Sequence, residues 1–285
     1  MGIFPNERAL SVFLRRIGWG AALGLFLLFH LAPFLWQVLT SLKEAGETFR
    51  SPVTYWPEHV TFDNYRRVFL VRPFGRYLVN SVIVATLATG STVILAACAA
   101  YAIARLHVRG GRGWLRASLL ITAVPAIVFL VPLYQVVRGL GLMNSLGGLV
   151  LVYTGLNLPL ALWLLTAAFR AVPVELEEAA QVDGMSRWQI LWKILVPLTA
   201  PAMVTAALLV FLGCWNEFLF ALTFLSDESL RTVPVGVAML SGVTTYELPW
   251  GLITAAIVIT TFPLMVLAVV AQRRLVEGLT AGAIK

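Results

Sequence analysis

The chain has 285 residues, of which 59% are hydrophobic and only 12% charged, and its mean hydropathy is +0.86. A soluble domain of this length carries about 25% charged residues, so most of this protein's surface must meet lipid or other apolar protein. The formal net charge of +7 would suit nucleic acid as a partner, but its distribution, set out below, is that of a membrane-orientation signal, and no nucleic-acid partner is expected.

Gaps between successive charged residues define six apolar segments, bounded by Arg16 and Lys43, Arg76 and Arg105, Arg116 and Arg138, Arg138 and Arg170, Lys193 and Glu217 (running on to Leu225), and Glu247 and Arg273. Each supplies the roughly 20 apolar residues of helix that a bilayer core needs. None alternates as a membrane β-barrel strand does. The expected fold is therefore all-α, a polytopic membrane protein with six transmembrane helices at about 17–41, 77–105, 115–137, 147–169, 199–225 and 251–273.

The first segment is too long for a cleavable signal peptide and lacks a small-x-small site after it, so it reads as a retained anchor. An even number of spans puts both termini on one side. With the termini inside, 13 of the 21 Lys and Arg and six of the 14 Asp and Glu are cytoplasmic, which places the whole net charge of +7 on that side. The chain then divides into a cytoplasmic N-terminus (1–16), a transmembrane domain (17–273) and a cytoplasmic tail (274–285). Within the second of these, 43–76 and 226–250 lie outside the cell membrane and 171–197 lies inside.

The outer segment 43–76 contains aromatic and turn-forming pieces ("SPVTYWPEHVTFDNYRRVF") that read as a short amphipathic helix on the membrane surface. In the spans, Cys98 and Cys214 read as small apolar packing residues, and no disulfide is implied. Pro125 and Pro132 in the third span, Pro159 in the fourth and Pro263 in the sixth can bend or open helices.

Between the fourth and fifth spans lies "VPVELEEAAQVDGMSRWQILWKILVP", Val172 to Pro197. Pro173 suits a first helical position, Glu175, Glu177 and Glu178 suit the positive end of a helix dipole, and Gly184 can adopt the left-handed conformation that ends one. Ser186 with Gln189 forms a capping box for a second helix. Trp188, Leu191, Trp192 and Leu195 would make its apolar face, and Leu176, Ala179 and Ala180 a smaller one on the first helix. An interfacial membrane helix is the alternative, but such anchors are rich in Lys and Arg, whereas this first helix is acidic. Protein docking is favoured.

"EEAAQVDGMSRWQILWKILVP" resembles the EAA loop of ATP-binding-cassette importer permeases: Glu178, Ala179, Ala180, Asp183, Gly184, Ile194 and Pro197 match its pattern, with Leu195-Val196-Pro197 a mild departure at the end. "NSVIVA" at Asn80, "YAIARL" at Tyr101, "WNEFLFAL" at Trp215, "RTVPVGVAML" at Arg231 and "GLTAGAIK" at Gly278 are similar to the smaller permease subunit of maltose- and trehalose-type sugar importers. The resemblance implies a type I importer permease fold with cytoplasmic coupling helices between spans four and five. It also implies a second permease subunit, two copies of an ATPase subunit and an extracytoplasmic sugar-binding protein. The loop 226–250 would face that binding protein. Glu177, Glu178, Ala179, Ala180, Asp183 and Gly184 are the expected ATPase-coupling residues.

No G-x-x-x-x-G-K-[ST], H-E-x-x-H or G-x-S-x-G occurs in the chain. His30, His59 and His107 are dispersed. A non-catalytic subunit in the cell membrane, with no cofactor or metal of its own, is expected. Glu217 is the one acid placed within a span, beside Trp215 and Asn216, and an ionisable group there either lines the sugar pathway or contacts a neighbouring subunit or the binding protein. Tyr134, Gln135, Tyr153 and Asn157 are weaker pathway candidates, with interhelix hydrogen bonding as their alternative role. A permease for a non-sugar solute, an independent channel and a membrane-embedded enzyme are the competing readings.

Overall fold

A computed structural model describes residues 7–106, 108–242 and 248–281, with side chains over 15–106, 108–242 and 248–272. The expectations for His107, for 243–247 within the second outer segment, and for the side chains of Arg8, Arg273, Arg274 and Lys285 lie outside these residues, as does the end of the "GLTAGAIK" tail. In chain order the helices are α1 (Glu7–Ser41), α2 (Asp63–Val71), α3 (Phe74–Ala104), α4 (Gly111–Thr122), α5 (Leu130–Gly139), α6 (Leu146–Ala171), α7 (Glu175–Val182), α8 (Arg187–Ile190), α9 (Val196–Leu198), α10 (Ala200–Asn216), α11 (Leu219–Phe224), α12 (Val233–Leu240) and α13 (Trp250–Ala281). Among the described residues there is no strand.

Among the described residues, four helical stretches are long and apolar enough to cross a bilayer: Arg15–Ser41, Phe74–Ala104, Leu146–Ala171 and Trp250–Gln272. Two bent pairs raise the number to six if each crosses as one unit: Gly111–Thr122 with Ala126–Gly139, bent by 103°, and Arg187–Leu198 with Ala200–Asn216, bent by 82°.

By its contacts the chain forms two units, 1–71 with 240–259, and 72–239 with 260–285. In the first, α1 leaves Leu25, Phe29 and Leu31 exposed, as an apolar helix solvated by lipid would. Its end is tied down by Asn64, whose Nδ2 donates to the carbonyls of Ser41 (2.9 Å) and Lys43 (2.8 Å), and by the Ser41–Tyr65 hydroxyl pair at 2.7 Å. The short surface helix expected within 43–76 is α2, and the stretch before it is irregular apart from a 3-10 turn at Glu47–Phe49. Pro52 and Pro57 prevent a longer helix. Side chains meet the backbone instead, Lys43 donating to the Thr54 carbonyl and Glu47 Oε1 accepting from Glu58 N at 3.1 Å.

The second unit is built on α3, which packs mainly against α6 and α10. Ala85, Ala88, Ala96, Ala97 and Ala100 are buried along α3 and Leu149, Val152, Leu165 and Phe169 along α6. Small residues on one helix and large ones on the other let the backbones approach closely, the arrangement that dispersion rewards in lipid. Pro159 and Pro263 sit inside continuous α6 and α13.

Two expected spans are interrupted. The third, 115–137, ends its first helix at Thr122, and Pro125 is extended (φ −55°, ψ 133°) before a 3-10 turn at Ala126–Phe129 and α5. Proline disfavours helix in the residue before it, which puts the break there. Pro132 causes none, because it falls in the first turn of α5, where an amide N–H has no helical partner. The fifth, 199–225, stops at Asn216 and resumes as α11, with Glu217 extended between them. In 226–250 the described part is ordered into a 3-10 turn at Glu228–Leu230 and α12.

Candidate functional site

Residues 172–197 form the expected helix-turn-helix. α7 opens with Glu175, Glu177 and Glu178 in its first turn, where carboxylates complement the dipole. It closes in a Schellman motif: Gly184, at φ +81°, donates its N–H to the Gln181 carbonyl (3.0 Å), and Met185 N donates to the Ala180 carbonyl (2.9 Å). The second helix opens with the predicted capping box, Ser186 N to Gln189 Oε1 at 2.8 Å and Gln189 N to Ser186 Oγ at 3.4 Å.

The two faces differ from the expected ones. On α7, Glu177 and Ala180 are buried, while Leu176, Glu178, Ala179, Asp183 and Gly184 are exposed. On the second helix, Ile190, Leu191 and Leu195 are buried, whereas Trp188 and Trp192 are 63% and 39% exposed. Trp192 falls within a π turn at Leu191–Leu195, whose i→i+5 bonding shifts the register that a 3.6-residue period assumes.

Glu177 is buried because it has a partner that the spacing of residues does not reveal. Arg105, the residue closing α3, brings Nε to 2.5 Å from Glu177 Oε1 and donates through Nη2 to the Val172 carbonyl, also at 2.5 Å. Their side chains are 11% and 5% exposed. Burial pushes the Glu177 carboxyl above its ordinary value, and the Arg105 guanidinium pulls it partway back. Arg105 lies in the "YAIARL" stretch; an arginine ending an apolar helix was the available signal, but not its pairing with a residue 72 positions on.

The polar residues expected along a pathway fall into separate groups. Tyr153 donates its hydroxyl to Glu217 Oε2 (2.5 Å), and Glu217 also accepts from Phe220 N at Oε1 (3.0 Å) and Ala221 N at Oε2 (3.2 Å). Asn157 donates from Nδ2 to the Tyr153 carbonyl (2.8 Å) and lies 3.6 Å from Cys214 Sγ. Tyr153, Asn157, Cys214 and Glu217 therefore form one cluster between α6 and the end of α10. Trp215 is buried beside it, stacked on Phe211 with centroids 5.8 Å apart. Tyr134 stands elsewhere, against Phe224, and with Arg138, Met143, Asn144 and Thr223 lines an open cavity of about 490 Å³. Gln135 and Asn216 are exposed and join neither group. Among the described residues, no group of His, Cys, Asp and Glu could hold a metal ion.

At the other end of α3, the segment after α11 is clamped to the helix. Arg72 Nη1 donates to Glu228 Oε1 (2.7 Å), and Asn80 Nδ2 donates to the carbonyls of Ser229 (2.9 Å) and Arg231 (3.0 Å). Ser81 Oγ accepts from Val233 N at 2.8 Å. A side chain at Gly236 would run into the ring of Tyr77. The "NSVIVA" and "RTVPVGVAML" stretches are thus two halves of one contact. The Arg72 hydrogen bond, joined by Tyr77 and the charge of Arg231, holds the Glu228 carboxyl below its ordinary value against a smaller desolvation cost.

Comparison with known proteins places this geometry in a family. The chain is 40% identical over 264 residues to the sulfoquinovosyl glycerol transport system permease protein SmoH of Agrobacterium fabrum, covering 93% of this chain and 92% of that one. It is 41% identical over 257 residues to the trehalose transport system permease protein SugB of Mycobacterium tuberculosis, covering 90% and 93%. A solved chain of a bacterial transporter that imports the acidic polysaccharide alginate shares the fold, with a TM-score of 0.77 at 22% identity over 96% of this chain and 99% of that one. The model of the binding-protein-dependent transport system inner membrane components matches residues 92–280, from the middle of α3 through the helix-turn-helix into α13. The chain belongs to that family.

Proposed function

We propose that this chain is one permease subunit of an ATP-driven sugar importer in the cell membrane, non-catalytic itself. It forms half of the translocation pathway with a second permease. Relatives named for trehalose and for sulfoquinovosyl glycerol support a carbohydrate cargo. Two copies of an ATPase subunit supply energy from the cytoplasmic side, where both termini lie, and an extracytoplasmic binding protein delivers the sugar.

The observation that carries the reading is the two-sided character of α7. Glu177 and Ala180 are buried within the chain, while Glu178, Asp183 and Gly184 are exposed. An acidic edge on a helix anchored from behind suits docking to a separate subunit. ATP binding by the paired ATPases then shifts the balance between inward-open and outward-open arrangements, with α7 as the part they grip. The clamp at Glu228 and the anchor at Arg105 occupy opposite ends of α3, 31 residues long and so about 45 Å apart, which supports placing them on opposite sides of the bilayer.

Glu217 reads here as an architectural group. Three donors occupy its carboxylate, fixing the end of α10 against α6. The open cavity at Tyr134 and Arg138 is the better candidate for contact with sugar. Sugar uptake by vesicles holding the assembled complex tests the proposal: Gly184→Pro should abolish uptake with the chain still inserted, and normal uptake would remove 171–197 from the coupling machinery.

A further inference from the structure

We infer that Arg105 is a positioning residue that ties the coupling helix α7 to α3, so that a displacement of α7 reaches α3 directly as well as α6. The inference rests on the proposed coupling role of 171–197 and goes beyond it, by naming how the helix is held to the bundle.

The covalent connection alone is a poor lever. Between α6 and α7 run only Val172, Pro173 and Val174, and Val172 is extended at ψ 132°. A three-residue linker transmits a pull, but the helix beyond it can pivot. Arg105 closes this pivot at two points: one nitrogen holds the carbonyl of Val172 within the linker, and another meets Glu177 in the first turn of α7. A planar guanidinium meets the two acceptors from separate nitrogens in a fixed fork, whereas an ammonium would have to reach both from a single point. Glu177 is buried and Arg105 is mostly covered, so removing either partner leaves the other's charge poorly solvated.

The rest of the unit makes this tie consequential. Ala180 is buried three residues after Glu177, on the same side of α7, so this side of the helix faces the chain itself. Glu178, the adjacent acid, is exposed. Two neighbouring glutamates thereby take different tasks, one holding the helix from within and one left for an outside partner. At its opposite end, α3 grips residues 229–233 through Asn80 and Ser81, and Arg72 just before the helix holds Glu228. A rod held at both ends carries motion at one end to the other only where both contacts are rigid, and Arg105 supplies the inner one.

The test uses the full complex, reconstituted with its ATPase and sugar-binding protein, and reads sugar imported per ATP hydrolysed. First, the wild-type complex must retain its ATPase subunit; failure there would remove the coupling reading itself. Given that, Arg105→Ala and Glu177→Gln should each lower the ratio about tenfold, within the range of ordinary coupling effects, with the ATPase subunit still bound. Arg105→Lys should fall between, and Arg109→Ala, an exposed basic residue of the same inner loop, should keep the wild-type ratio. Glu177→Gln keeps the shape of the side chain and carries the test if Arg105→Ala lowers the yield. An unchanged ratio in both variants would overturn the inference. So would loss of the ATPase subunit from both, which would assign the pair to docking.

Discussion

Gly184 shows how much one backbone angle can carry. At φ +81° it lies where residues with a side chain are strained, although no atom stands within 4 Å of where a Cβ would be. Gly184→Ala should therefore cost about 1–2 kcal/mol of local conformational energy and lower uptake without a steric clash. Gly184→Pro fixes φ near −65° and removes the N–H given to Gln181, so uptake should vanish while an immunoblot of the membrane fraction still detects the chain. Glu228 predicts a pH dependence of known sign. Its carboxyl is held below its ordinary value, chiefly by Arg72, so its contribution to stability is complete above the usual carboxylate range, about 4.3, and is lost as pH falls through the lower folded-state value. Thermal unfolding of the detergent-solubilised protein between pH 7 and 3 should therefore show a steeper acid loss for the wild type than for Glu228→Gln. Equal slopes would mean that the Arg72 contact contributes nothing.

At the scale of elements, the end of α10 is set by a side chain more than by helix propensity. Glu217 caps α11 through two amides and is held in place by Tyr153. Tyr153→Phe should lower stability by about 1.5–3 kcal/mol, the value of a hydrogen bond to a charged group, and leave the sugar carried unchanged; an altered sugar preference would return Glu217 to the pathway. Ala180→Trp, on the buried side of α7, should overpack the contact with the bundle and cut uptake, with a cost of at least about 1–3 kcal/mol. These elements also show what a sequence discloses. The capping box at Ser186 and the stop at Gly184 were legible because caps are local chemistry. So were the uninterrupted spans, because apolar length is a property of a single segment. The break at Glu217 and the π turn at Leu191–Leu195 were not, since both depend on hydrogen bonds absent from the hydrophobic pattern. The Arg105–Glu177 pair stayed hidden for the same reason, as charge placement in sequence does not tell which residues meet.

Considered as a whole, the second unit has a through-going spine. α3 runs from the clamp at Glu228, Asn80 and Ser81 to the anchor at Arg105, packed against α6 and α10 between. That spine gives a physical route by which an event at residues 172–177 reaches residues 228–233, and α7 offers the face through which a motor would act. The central claim is that this chain works as the coupled permease of an assembled importer, and the most direct measurement is sugar-stimulated ATP hydrolysis by the complex that copurifies with a tagged copy of the chain in mild detergent. The account predicts a second permease and an ATPase subunit in fixed ratio, with hydrolysis that rises when the sugar-loaded binding protein is added and no longer rises in Gly184→Pro. A chain that elutes alone, or a complex whose hydrolysis ignores both the sugar and the Gly184 substitution, would contradict it.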